Sequence, residues 1–83
     1  MSTLRQQLDP ELMLLRIVVK ASEYRELETA RFGLYAALET GDLDLAHRWA
    51  DALRVGLQDN EAALRALDRV DALLATEVRH EED

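Results

Sequence analysis

The sequence contains no cysteine, so it offers no disulfide bond, no thiolate nucleophile and no zinc–thiolate site. Aromatic residues make up only 5% of the chain although 48% of it is hydrophobic, so a core has to consist mainly of Leu, Ala and Val. That composition favours closely packed helices over a β-sandwich. A single proline and three glycines leave long segments without a residue that breaks helices.

Long hydrophobic runs and positive charge are also scarce. No apolar run approaches the ~20 residues of a membrane span, and residues 1–7 lack the apolar core of a signal peptide. Ten basic residues face 17 acidic ones, and the net charge of −7 works against binding to phosphate backbones and to anionic membranes. We therefore expect a soluble cytoplasmic protein, with neither nucleic acid nor a membrane as its partner. The length of 83 residues predicts one helical domain over 1–83, frayed at residues 1–8 and 80–83.

The clearest helical signal lies at the start of the chain. Asp9 suits an N-cap, Pro10 suits the first helical position, and Glu11 places negative charge at the positive end of the helix dipole. Every residue in 12–19 except Arg16 is apolar, so a helix over this segment is hydrophobic on all sides. Such a helix has to be covered by its own chain or by another one.

The predicted first helix is long. Residues 10–40 contain no proline after Pro10 and only Gly33 among the glycines, which predicts one helix of ~46 Å. Since the mean helix in globular proteins has only ~11–12 residues, a break near residues 20–23 is the alternative.

Turn signals divide the remainder of the chain. Gly41 suits a left-handed helix end and Asp42 an N-cap, which predicts a second helix over about 42–56. A turn at residues 58–60 precedes a third helix over about 60–79. The predicted fold is therefore all-α, with two or three antiparallel helices joined by tight turns. The residues predicted to meet across the first turn are Leu45, Trp49 and Leu53 on the second helix and Leu27, Leu34 and Leu38 on the first.

Residues 41–53, Gly-Asp-Leu-Asp-Leu-Ala-His-Arg-Trp-Ala-Asp-Ala-Leu, resemble the turn and second helix of a tetratricopeptide repeat. In that family a turn containing glycine is followed by a small residue, matched here by Ala46, and then by large apolar residues, matched by Trp49 and Leu53. The resemblance extends over residues 28–55 and implies an αα-hairpin of the kind that stacks to form a groove for peptides. The chain contains no second copy of the repeat, and an ordinary αα-hairpin also accounts for the match.

No pattern in the sequence predicts catalysis or a bound cofactor. His47 has Asp44 and Asp51 within one helical turn, but one histidine and two carboxylates are too few for a closed metal site. Trp49 shares a face with leucines, which predicts core packing rather than ligand stacking. The sequence has no glycine-rich phosphate loop and no nucleophile–base triad pattern. We therefore predict no catalytic, cofactor-binding or metal residues, and a chain that is not an enzyme.

Helix lengths lead to a predicted interface. A second helix of about fourteen residues covers only ~21 Å of a first helix of ~46 Å, so the first half of the long helix stays uncovered. We predict a small non-enzymatic protein–protein interaction module that self-associates through this surface. The alternative is an adaptor that holds a peptide or helix in a groove of the tetratricopeptide-like or small acidic secretion-chaperone kind. Six apolar residues form the predicted seam of the homodimer: Leu12, Leu14, Leu15, Ile17, Val18 and Val19.

Overall fold

A computed structural model describes the backbone of residues 4–82 and the side chains of residues 5–77. Within that part the chain has no strand, which confirms the all-α prediction, but it forms five helices packed together rather than two or three. The principal extents are 41 × 21 × 20 Å. None of the helices in the described part is long and apolar enough to cross a membrane. The helices are α1 (Leu4–Gln7), α2 (Asp9–Ser22), α3 (Arg25–Thr40), α4 (Leu43–Gly56) and α5 (Glu61–Glu82).

The predicted continuous helix over 10–40 is wrong, because the helix breaks where the alternative placed a break. Glu23 adopts a left-handed conformation with φ 62°, and α3 begins two residues later. The Ser22 hydroxyl donates to the Val19 carbonyl at 2.6 Å and accepts a hydrogen bond from the Tyr24 N–H at 3.3 Å. These two bonds satisfy backbone groups that a helix end leaves without partners. Packing of both helices offsets the ~1–2 kcal/mol that a left-handed residue with a side chain costs.

The second turn forms as predicted. Gly41 is left-handed with φ 80°, and the Asp42 N–H donates to the Ala37 carbonyl at 2.9 Å. The Asp42 carboxylate then accepts a hydrogen bond from the Leu45 N–H at 3.1 Å and so caps α4. This two-residue connection places α4 beside α3.

Two glycines let α3 and α4 approach closely. A Cβ added to Gly33 would lie 2.3 Å from Cε2 of Trp49, and one added to Gly56 would lie 2.2 Å from Cδ2 of Leu27. Because Leu27 precedes Gly33 while Gly56 follows Trp49, the two pairs show that α3 and α4 are antiparallel. Both glycines therefore act in packing between the helices.

The contact predicted between these helices is only partly right. Leu53 is fully buried, but Leu45 is exposed and Trp49 is half-buried, because α4 turns Ala46 and Ala50 towards the core. The small alanine side chains permit close packing of the helices. The predicted partners on α3, namely Leu27, Leu34 and Leu38, are all buried.

The four longer helices close a ring around one core. α2 packs on α3, α3 on α4, α4 on α5, and α5 returns to pack on α2. Leu4–Gln7, predicted to be frayed, form α1 against α3, and α5 remains helical past the predicted end at residue 79. Residues 1–3 and 83 lie outside the described residues. The largest fully buried side chains are Leu15, Leu34, Leu38, Leu53, Leu67, Leu74, Val19 and Val70.

Candidate functional site

The structure divides the six residues of the predicted seam into two groups. Leu12, Leu15 and Val19 lie in the chain's own core. Leu14 and Val18 are half-buried, and Ile17 is 61% exposed. The first half of the predicted long helix is therefore not left uncovered, because the break after α2 allows α5 of the same chain to pack on it.

What remains accessible is a narrow apolar strip. Leu14, Ile17, Val18 and Ala21 follow the i, i+3, i+4, i+7 spacing that places residues on one side of a helix. We call these four residues the outer stripe of α2. Beside the stripe, an open depression of about 520 Å³ lies between α2 and α5, and its lining includes Pro10 and Leu14.

A charged pair fixes α2 to α5 at the edge of this depression. Glu11 is only 8% exposed, and its Oε1 accepts a hydrogen bond from Nη1 of Arg69 at 3.0 Å. The second carboxylate oxygen, Oε2, is buried without a hydrogen-bond partner. Glu11 also lies in the first turn of α2, where the helix dipole favours negative charge. The sequence identified the dipole role of Glu11, but it did not indicate the partner 58 residues away.

A second polar cluster joins α4 to α5. Nη1 of Arg54 lies 2.8 Å from the Asp68 carboxylate, and Nη2 donates to Asp71. The hydrogen bond with Asp68 is the main cause that raises the pKa of Arg54 above its ordinary value, with burial acting against it and Asp71 adding to it. The Arg54 guanidinium therefore stays charged throughout the ordinary pH range.

His47 belongs to this second cluster and not to the arrangement considered from the sequence. Its Nδ1 lies 3.4 Å from Oδ1 of Asp71 on α5, and among the described residues it forms no ion pair with Asp44 or Asp51 of its own helix. Across the described residues, no group of three or more histidine, cysteine, aspartate or glutamate side chains is arranged to hold a metal ion. The contact with Asp71 connects two helices of the bundle.

Several large side chains that the sequence did not indicate as accessible are exposed in the structure. Met13 is 62% exposed, and Phe32 and Tyr24 are exposed to a similar extent. Met13 lies four residues before Ile17, and this spacing places the two side chains next to each other on α2. The sequence spacing alone therefore indicates that Met13 is accessible if Ile17 is. Phe32 lies under the guanidinium of its sequence neighbour Arg31, with Cζ 4.3 Å from the ring centroid.

The tetratricopeptide-like resemblance over residues 28–55 stays a prediction. Its small residue Ala46 is buried, and its Trp49 packs against Gly33 of the preceding helix. These contacts suit any closely packed αα-hairpin. No protein-family model, no curated protein and no solved structure matches this chain.

Proposed function

We propose that this chain is a small non-enzymatic helical protein–protein interaction module that associates with a second copy of itself through the outer stripe of α2. The observation that supports the proposal is the exposure of Ile17, at 61%, between half-buried Leu14 and Val18. A branched apolar side chain in that setting loses contact with water when a second apolar surface covers it.

A symmetric pair suits this surface. In a two-fold arrangement each copy contributes the same patch, so Ile17 of one chain can enter the depression between α2 and α5 of the other. The outer stripe alone is smaller than the ~800 Å² that each partner buries in a standard interface. The contact therefore extends onto the α5 wall of the depression, which consists of two alanines and of the charged residues Arg65, Asp68 and Arg69.

The mass in solution tests this proposal. We expect the wild-type chain to run well above its monomer mass of 9.4 kDa in light scattering at high micromolar concentration. Ile17→Asp should yield folded monomers whose melting temperature falls only by the contribution of self-association, because Ile17 contributes little to the monomer core. Val55→Asp is the matched control, since Val55 is 72% exposed on α4, and it should leave the mass unchanged.

Two results would contradict self-association through α2. One is a wild-type chain that remains monomeric at high micromolar concentration. The other is an Ile17→Asp variant that retains the wild-type mass while the Val55→Asp variant loses it.

A further inference from the structure

A second surface lies on the opposite flank of α2, where α2 meets α3. One depression there, of about 300 Å³, is lined by Met13, Arg16, Arg31 and Tyr35 among others. A second one, of about 370 Å³, follows it along the same two helices and is also lined by Arg16 and Arg31. The two depressions adjoin at these two arginines, and we call them together the α2–α3 groove.

The floor of the groove and one part of its rim are apolar. Leu12 and Val19 are buried beneath it, and they belong to the core. Met13 stands on the α2 side and Tyr35 on the α3 side, both exposed. An apolar side chain placed between Met13 and Tyr35 would be removed from water, which is favourable by ~25 cal/mol per Å² of apolar surface buried.

The charge of the groove is opposite to that of the whole chain. Four basic and three acidic side chains line it, although the chain carries a net charge of −7. Among the described residues, Arg16, Lys20 and Arg25 make no ion pair. Arg16 and Lys20 lie one helical turn apart on α2, and Arg25 begins α3 at the end of the groove.

Two of the three acidic side chains are already paired. Asp9 lies 3.5 Å from Arg5, and Glu28 lies 3.2 Å from Nη2 of Arg31. Only Glu23, at the bend between the helices, is left to offset the three cations without ion pairs. The groove therefore presents an uncompensated positive charge beside an apolar channel.

We infer that the α2–α3 groove binds an acidic amphipathic helix of another protein. An apolar residue of that helix lies over Leu12 between Met13 and Tyr35, and carboxylates lie against Arg16 and Lys20. The one-turn spacing of these two cations matches carboxylates three or four residues apart on a helix, which is why the occupant is helical. The acidic remainder of this chain repels nucleic acid, whose binding requires neutralisation of many phosphates.

A binding measurement with a defined probe tests the inference. The probe is a labelled, conformationally stapled peptide of about 15 residues, with leucines on one face and glutamates on the flanks, since shorter free helices are marginal in water. Fluorescence anisotropy with the full chain should show saturable binding that weakens as salt is added, because salt screens exposed charges. A second peptide, with glutamine in place of every glutamate, should bind at least about tenfold more weakly.

Two matched variants locate the site. Arg16→Glu should weaken binding of the glutamate peptide at least about tenfold, because it reverses a charge that lines both halves of the groove. Arg48→Glu makes the same change at an exposed arginine of α4 and should alter binding by less than about twofold. Circular dichroism melts verify that both variants fold. Light scattering of the Arg16→Glu variant separates this inference from self-association, since loss of peptide binding with retention of the wild-type mass supports two independent surfaces.

Several outcomes overturn the inference. They are the absence of saturable binding to the wild-type chain, equal affinity for the glutamate and glutamine peptides, and equal weakening by Arg16→Glu and Arg48→Glu. Tighter binding of a single-stranded RNA of similar length than of the glutamate peptide also overturns it, because the groove would then be a site for phosphates.

Discussion

At the scale of single residues, Gly33 occupies an interior position of α3, where helix propensity alone disfavours glycine. Alanine is preferred to glycine in a helix by ~1 kcal/mol, so α3 would be intrinsically more stable with alanine there. The structure shows what opposes that preference: three ring atoms of Trp49 lie 2.3, 2.5 and 2.6 Å from the place that a Cβ would occupy. The absence of a side chain at this position therefore lets the indole lie flat against the α3 backbone.

We expect Gly33→Ala to destabilise the chain by up to ~2 kcal/mol, because the overpacking cost of ~1–3 kcal/mol exceeds the gain of ~1 kcal/mol in helix propensity. Urea unfolding measures this change. Gly56→Ala is the control: its Cβ would meet the flexible end of Leu27 and should cost less. In a Trp49→Leu background the cost of Gly33→Ala should fall below ~0.5 kcal/mol. An equal cost in both backgrounds would show that the indole is not the cause.

At the scale of helices, the bend between α2 and α3 decides the fold. Glu23 is the only described residue other than glycine with positive φ. A left-handed residue with a side chain costs ~1–2 kcal/mol, whereas glycine adopts that conformation freely. Glu23 therefore adopts a conformation that glutamate disfavours, and the contacts of α2 with α3 and α5 stabilise this bend.

We expect Glu23→Gly to raise the free energy of unfolding by ~0.5–1 kcal/mol, since relief of the backbone cost outweighs the extra entropy of the unfolded chain. The urea midpoint measures this gain. Thr29→Gly, at an exposed position inside α3, should instead destabilise the chain by a few tenths of a kcal/mol. If both variants lost stability to the same degree, Glu23 would not be strained in solution.

Local signals in the sequence predicted the start of α4 but not that of α2, where Leu8 rather than Asp9 is the N-cap and no side chain caps the helix. Gly41 and Asp42 carry the residue types that a helix end and an N-cap require, and the hydrogen bond from the Leu45 N–H to Asp42 formed accordingly. The bend at Glu23 could be placed only as an alternative, because glutamate disfavours the conformation that it adopts there. Tertiary packing stabilises that conformation, and the local propensity of glutamate does not predict it.

The accessible part of the candidate site could not be predicted, because it depends on that bend. With one continuous helix, residues 12–19 have no cover, and all six predicted seam residues face outwards. With the bend, α5 packs on α2 and leaves Ile17 as the exposed member. The groove between α2 and α3 likewise exists only because the two segments are separate helices.

At the scale of the whole molecule, the fold rests on an apolar core enclosed by four helices. Removal of divalent cations with a chelator should leave the helical circular dichroism and the melting temperature unchanged, because this core needs no ion to form. An ion that bound only the native state would stabilise it by mass action, so its removal would lower the melting temperature. Such a fall would make His47 and Asp71, which lie 3.4 Å apart, the first residues to test by substitution.

The two flanks of α3 also differ in the aromatic residues that can serve as spectroscopic probes. The single tryptophan, Trp49, lies against Gly33 on the α4 side, whereas both tyrosines, Tyr24 and Tyr35, line the groove on the α2 side. Tryptophan emission therefore reports the separation of α3 from α4, because exposure of the indole to water shifts its spectrum to the red. Fluorine-labelled tyrosine gives two NMR resonances, both from the groove. Opening of one flank and occupancy of the other can thus be followed separately in a chain without any substitution.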